Sequence, residues 1–142
     1  MKHEAFIPEF NKRQFFPLYL SSIKAGFPSP ADDYIEKKLD LNEYLVSNPP
    51  ATFFLRVSGD SMKDACIQEE DLLIVDCSKK AAPENIVVAA LDGELTLKRV
   101  RKIQGKLYLA AENKNYAPLP VTEDSDLVIW GVVTHVIHHF KQ

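Results

Sequence analysis

The dipeptide Asp92-Gly93 stands between two apolar, β-branched runs, 85–91 and 94–100, and this arrangement constrains the fold more than any other feature of the chain. A two-residue Asp-Gly link suits a tight turn whose central residues both have positive φ. Such a turn matches the twist of an antiparallel pair. The two runs therefore read as a β-hairpin. Further runs of the same kind lie at 52–57, 71–75, 106–111 and 127–136. Short strands at this density, in a sequence that is 46% hydrophobic, predict a compact, mainly antiparallel β body with a real core.

The N-terminal third reads differently. Pro8, Pro17, Pro28 and Pro30 interrupt any long helix or strand, so residues 1–31 read as an extended arm. Phe6, Phe10, Phe15, Phe16, Leu18, Tyr19 and Leu20 make the arm too apolar to stand free in water. Within residues 32–47 a short helical segment is expected, because Asp40 and Glu43 have the spacing of a capping box.

Charge and motif content exclude several functions. A net charge of −3 with scattered basic residues argues against direct DNA reading, which needs clustered Lys and Arg. No apolar run approaches the roughly 20 residues of a membrane span, and the charged start is not a signal peptide. The chain is thus expected to be cytoplasmic. Cys66 and Cys77 are expected as reduced, partly buried thiols, with a disulfide as the alternative. With four scattered His they give no zinc-finger spacing, and no metal or organic cofactor is expected.

Two residues stand out as candidate chemistry. Ser61 lies in Ser58-Gly59-Asp60-Ser61-Met62, directly after the strand 52–57, where a Gly-containing turn sets a hydroxyl at the mouth of a sheet. The amides of Asp60 and Ser61 would there face a developing oxyanion. Taken alone, the pentapeptide reads as a surface turn. A serine also needs a base. His3 sits in the arm; His135, His138 and His139 end the last strand without an acidic neighbour in sequence, and read as edge or surface residues. Lys is the other base known for Ser. Lys98 shares a strand face with Thr96 and Val100 by period two, so it can lie over apolar groups and lose its charge. The ordinary alternative is a lysine whose head reaches solvent.

Taken together, "SGDSM" at 58–62, "DLLIVD" at 71–76 and "DGELTLKR" at 92–99 resemble the LexA/UmuD family of serine–lysine self-cleaving proteins. The similarity runs over about residues 17–140 and includes "GFPSPADDY" at 26–34, "LDLNEYL" at 39–45 and "WGVVTHVI" at 130–137. The resemblance implies a LexA/UmuD-like β domain with Ser61 as nucleophile and Lys98 as general base and acid. It also implies a scissile bond between Ala25 and Gly26, dividing the chain into a cleavable arm, 1–25, and a peptidase-like domain, 26–142.

In that family the DNA-damage (SOS) response supplies a RecA–single-stranded DNA filament that promotes cleavage. The short arm resembles the UmuD branch rather than the LexA-like repressors, which carry a DNA-reading domain there. A bacterial homodimer serving a UmuC-type error-prone translesion polymerase is then implied. The alternatives are a non-catalytic dimeric module of a polymerase complex and a truncated repressor core. The sequence departs from the pattern at Cys66 and Glu70, where the family often has Gly. If those positions need positive φ, each replacement costs about 1 kcal/mol.

Overall fold

A computed structural model describes residues 13–19, 35–122, 124 and 126–141. The chain falls into two compact units, 1–49 and 50–142. In the first, strand β1 (Phe16–Tyr19) pairs antiparallel with β2 (Ile35–Leu39), Phe16 opposite Leu39. Among the described residues β1 has a single partner, so the missing N–H of Pro17 can face outward. Helix α1 (Leu41–Leu45) follows, and Asp40 caps it by accepting from the Asn42 amide at 3.0 Å. Among the described residues α-helix is confined to this one segment; the residues just before it form β2. The expected boundary at 25/26 lies outside the described residues.

The second unit is one seven-stranded antiparallel sheet. Its strands are β3 (Thr52–Arg56), β4 (Leu72–Asp76), β5 (Ile86–Leu91), β6 (Glu94–Ile103), β7 (Lys106–Ala110), β8 (Leu119–Pro120) and β9 (Leu127–Ile137). They lie in the order β3-β4-β9-β5-β6-β7-β8. Strands β5 to β8 form a meander, and β9 returns to the middle of the sheet between β4 and β5. The β5–β6 hairpin has Leu91 opposite Glu94, with φ of 50° at Asp92 and 83° at Gly93, as the Asp-Gly pair predicts.

Directly opposed residues of an antiparallel pair project to the same side. Leu97 is opposite Val88, which is buried with Val57, Met62, Ile67, Leu73 and Val75. One residue along, Lys98 is opposite Val87, which is buried in a second cluster with Ala89, Val100, Leu109 and Val132. The sheet thus has apolar residues on both faces, and β6 contributes to each. At its centre β9 approaches β4 so closely that a Cβ on Gly131 would lie 2.7 Å from Val75 Cγ1 and 3.0 Å from the Asp76 carbonyl oxygen. Both cysteines are free, as expected, but exposed rather than partly buried. Among the described residues no helix is long and apolar enough to cross a membrane.

Candidate active site

The loop that carries Ser61 is closed at its base and pinned at its middle. The Val57 amide donates to the Asp71 carbonyl at 2.8 Å, and the Glu70 amide donates to the Val57 carbonyl at 2.9 Å. Between these ties Met62 and Ile67, 2% and 1% exposed, drop into the first cluster. A buried neighbour on the C-terminal side holds Ser61 at the rim of the core. The chain enters the bend through Gly59 at φ 88° and leaves through a 3-10 turn, Lys63–Ala65. Cys66 and Glu70 both adopt positive φ, 61° and 73°. The conformation that Gly would favour is therefore present without Gly.

Lys98 is half-buried on β6, between Thr96 and the buried Val100 on its own face and across from Val87, which is fully covered. Loss of water pushes its ammonium below the ordinary lysine value. Its Nζ lies 5.9 Å from the centre of the Tyr116 ring. Tyr116 Oη in turn donates to Asp60 Oδ1 at 3.3 Å, and Asn113 Nδ2 donates to the Asp60 carbonyl at 3.0 Å. The loop after β7 therefore touches Lys98 on one side and the residue preceding Ser61 on the other. That loop, rather than a direct hydrogen bond, connects Ser61 and Lys98 in this structure.

A cleft of about 270 Å³ opens beside Ser61. Ser58, Gly59, Ser61 and Met62 form one part of its wall, and Leu95, Thr96 and Leu97 of β6 another. Strand β3, which supplies Leu55 and Arg56 to the wall, is the last strand on its side of the sheet among the described residues. Strand β7 pairs only with Arg99–Ile103 of β6, so residues 94–98 have no ladder partner on that side among the described residues. Strand edges beside a cleft can take an extended peptide by backbone hydrogen bonding. Among the described residues the amides of Asp60 and Ser61 donate to no backbone carbonyl, which leaves them available to an oxyanion. No group of His, Cys, Asp and Glu among the described residues has a metal-binding arrangement.

Sequence reading missed three parts of this site. Asn113 and Tyr116 lie in a polar loop without periodicity, and nothing in their local sequence ties them to Asp60, more than 50 positions away. Glu112 ion-pairs with Arg99 at 2.5 Å and Arg101 at 2.7 Å, while its carbonyl accepts from the Asp64 amide at 2.8 Å. His138 is exposed, as expected of a surface residue, but it has an acidic partner that its sequence neighbours do not supply. Its Nδ1 donates to Oδ1 of the buried Asp71 at 2.5 Å, a partner 67 positions away. Burial alone would raise the Asp71 pKa, but the Gln68 amide and His138 outweigh it and hold the carboxyl below its ordinary value. His135 Nδ1 lies 3.1 Å from Thr134 Oγ1. Ala25 and Gly26 lie outside the described residues.

The Peptidase S24-like family matches residues 17–134. Protein ImpA of Salmonella typhimurium is 45% identical over 127 residues, covering 89% of this chain and 86% of the relative. Protein MucA of Escherichia coli is 46% identical over 125 residues, covering 87% and 85%. A LexA repressor of Ectopseudomonas mendocina is 40% identical over 119 residues, 83% of this chain but 58% of the longer repressor. The family match spans both Ser61 and Lys98, and the chain belongs to the Peptidase S24-like family, a serine-peptidase group, in agreement with the LexA/UmuD resemblance of its motifs.

Proposed function

We propose that the chain is a self-cleaving serine–lysine peptidase of the DNA-damage response, cutting its own Ala25–Gly26 bond. The observation that carries this reading is a lysine with a depressed pKa, Lys98, sharing one bracing loop with the Ser61 turn. Neutral Lys98 accepts the Ser61 proton, and Ser61 Oγ attacks the Ala25 carbonyl. The amides of Asp60 and Ser61 receive the oxyanion. Lys98 then donates its proton to the leaving amine of Gly26, and water hydrolyses the Ala25 ester. Among the described residues the strand edges beside Ser61 carry no further strand, which suits the arm in extended form, and Gly at the leaving side lets two backbones approach closely.

Cleavage is promoted by a RecA–single-stranded DNA filament. The product, residues 26–142, acts as a homodimeric accessory subunit of a UmuC-type translesion polymerase. The dimer is supported by exposed apolar side chains on β9, among them Val128 and Trp130.

The test is mass spectrometry of the chain after incubation at alkaline pH, and separately with RecA, single-stranded DNA and nucleotide. The expected product begins at Gly26, and Ser61→Ala gives none while keeping the wild-type melting curve. An intact wild type under both conditions, or normal cleavage of Ser61→Ala, refutes the assignment; a different new N-terminus refutes the scissile bond.

A further inference from the structure

The loop after β7 makes contacts that neither the nucleophile nor its base explains. Asn113 is 3% exposed, and both ends of its amide are engaged. Its Oδ1 accepts from the Asn115 amide at 3.0 Å, which shapes the loop itself. Its Nδ2 crosses to the Asp60 carbonyl at 3.0 Å. The same carbonyl accepts from the Lys63 amide at 3.1 Å, and Tyr116 Oη holds the Asp60 carboxylate at 3.3 Å. Residue 60 is thus fixed from within its own turn and from a separate loop.

A peptide unit is planar and trans, so the Asp60 carbonyl and the Ser61 N–H point in opposite directions. Pinning one aims the other. Asn113 is buried, whereas Ser61 lines the cleft. Holding the carbonyl toward Asn113 therefore turns the Ser61 N–H away from the interior. We propose that Asn113 is a positioning residue for peptide-bond cleavage, gripping the Asp60 carbonyl so that the Ser61 amide is already aimed at the oxyanion of the attacked bond. The inference rests on Ser61 being the nucleophile. Asn113 touches no substrate; it removes the reorientation that the Asp60–Ser61 peptide would otherwise undergo as negative charge develops.

Asn113→Asp separates the two uses of the side chain. It keeps the acceptor for the Asn115 amide and, ionised at alkaline pH, loses the donor to Asp60. Self-cleavage is followed against pH, with reaction of Ser61 with a fluorophosphonate probe as a second measure of the same amides. The expected result is a plateau rate lower by roughly ten- to hundred-fold, less than deletion of an oxyanion donor, with the midpoint of the pH profile unchanged. Probe labelling should fall in parallel. Cleavage and labelling at wild-type rates overturn the inference, because Asn113 then only shapes its loop. A fall accompanied by a displaced midpoint also overturns it, since Lys98 is then disturbed as well. If Asn113→Asp does not fold, Asn113→Ser, neutral and too short to reach Asp60, is judged by the same criteria. A wild type that neither cleaves nor labels at Ser61 removes the nucleophile assignment and this inference together; an active wild type with unaffected variants removes this inference alone.

Discussion

On the proposed mechanism, substitution of Lys98 should link catalysis to stability through one charge. A lysine with the ordinary pKa of about 10.4 is neutral in roughly one molecule in 2,500 at pH 7. Burial against Val87 and Val100 lowers the Lys98 value. Each unit of lowering multiplies the neutral fraction by ten and costs the folded state about 1.4 kcal/mol whenever the amine is charged in both states. The sign follows from the direction. The folded pKa is depressed, so the fold is least favoured at pH values where Lys98 is charged, gains stability as pH rises through the folded value, and carries no charge penalty above the unfolded value.

Spontaneous self-cleavage without any partner should therefore rise about tenfold per pH unit and level off at a midpoint below 10.4. Lys98→Arg keeps the charge but cannot lose its proton, and should be inactive at every pH. Lys98→Met should also be inactive, yet more stable than wild type at neutral pH. The gain, read from denaturant unfolding, should be about 1.4 kcal/mol for each unit by which the kinetic midpoint lies below 10.4, and should vanish above that pH. A rate independent of pH, an active Lys98→Arg, or a depressed midpoint without the matching gain refutes the assignment of Lys98 as a buried neutral base.

Three other outcomes follow from the packing. In Gly131→Ala, strand preference alone favours Ala by about 0.5–1 kcal/mol, but the new Cβ meets the fixed carbonyl of Asp76 and the buried Val75. Overpacking of about 1–3 kcal/mol should win, lowering the thermal midpoint by several degrees in calorimetry. His138→Ala leaves the buried Asp71 carboxylate without that partner and should cost about 1–3 kcal/mol near pH 6. Asp71 has a depressed folded pKa, so its stabilisation is present above about 3.9. It is lost as pH falls through the folded value, and thermal unfolding of wild type and variant should converge there. Sedimentation at micromolar concentration should detect a homodimer, and a monomer at that concentration counts against the exposed β9 residues as an interface.

The sequence by itself determined the antiparallel β body. Local rules are sufficient for a hairpin, because the Asp92-Gly93 turn and the two flanking runs specify register within a few residues. The same holds for the Asp40 cap of α1. The placement of Ser61 in a Gly-containing turn directly after a strand was legible, as was that of Lys98 on the strand face of Thr96 and Val100 by period two. Only the tertiary structure decided what surrounds them. The insertion of β9 between β4 and β5 depends on pairing between distant segments, and no local pattern encodes it. The partnerships of Asn113 and Tyr116 with Asp60, and of His138 with Asp71, join residues 53 to 67 positions apart. Hydrogen bonds of that kind depend on where whole strands come to rest, so single polar residues in loops carry no periodic trace of them. The depressed amine of Lys98 belongs to the same class. The face it occupies follows from the strand, but the loss of water that lowers its pKa follows from what packs around that face.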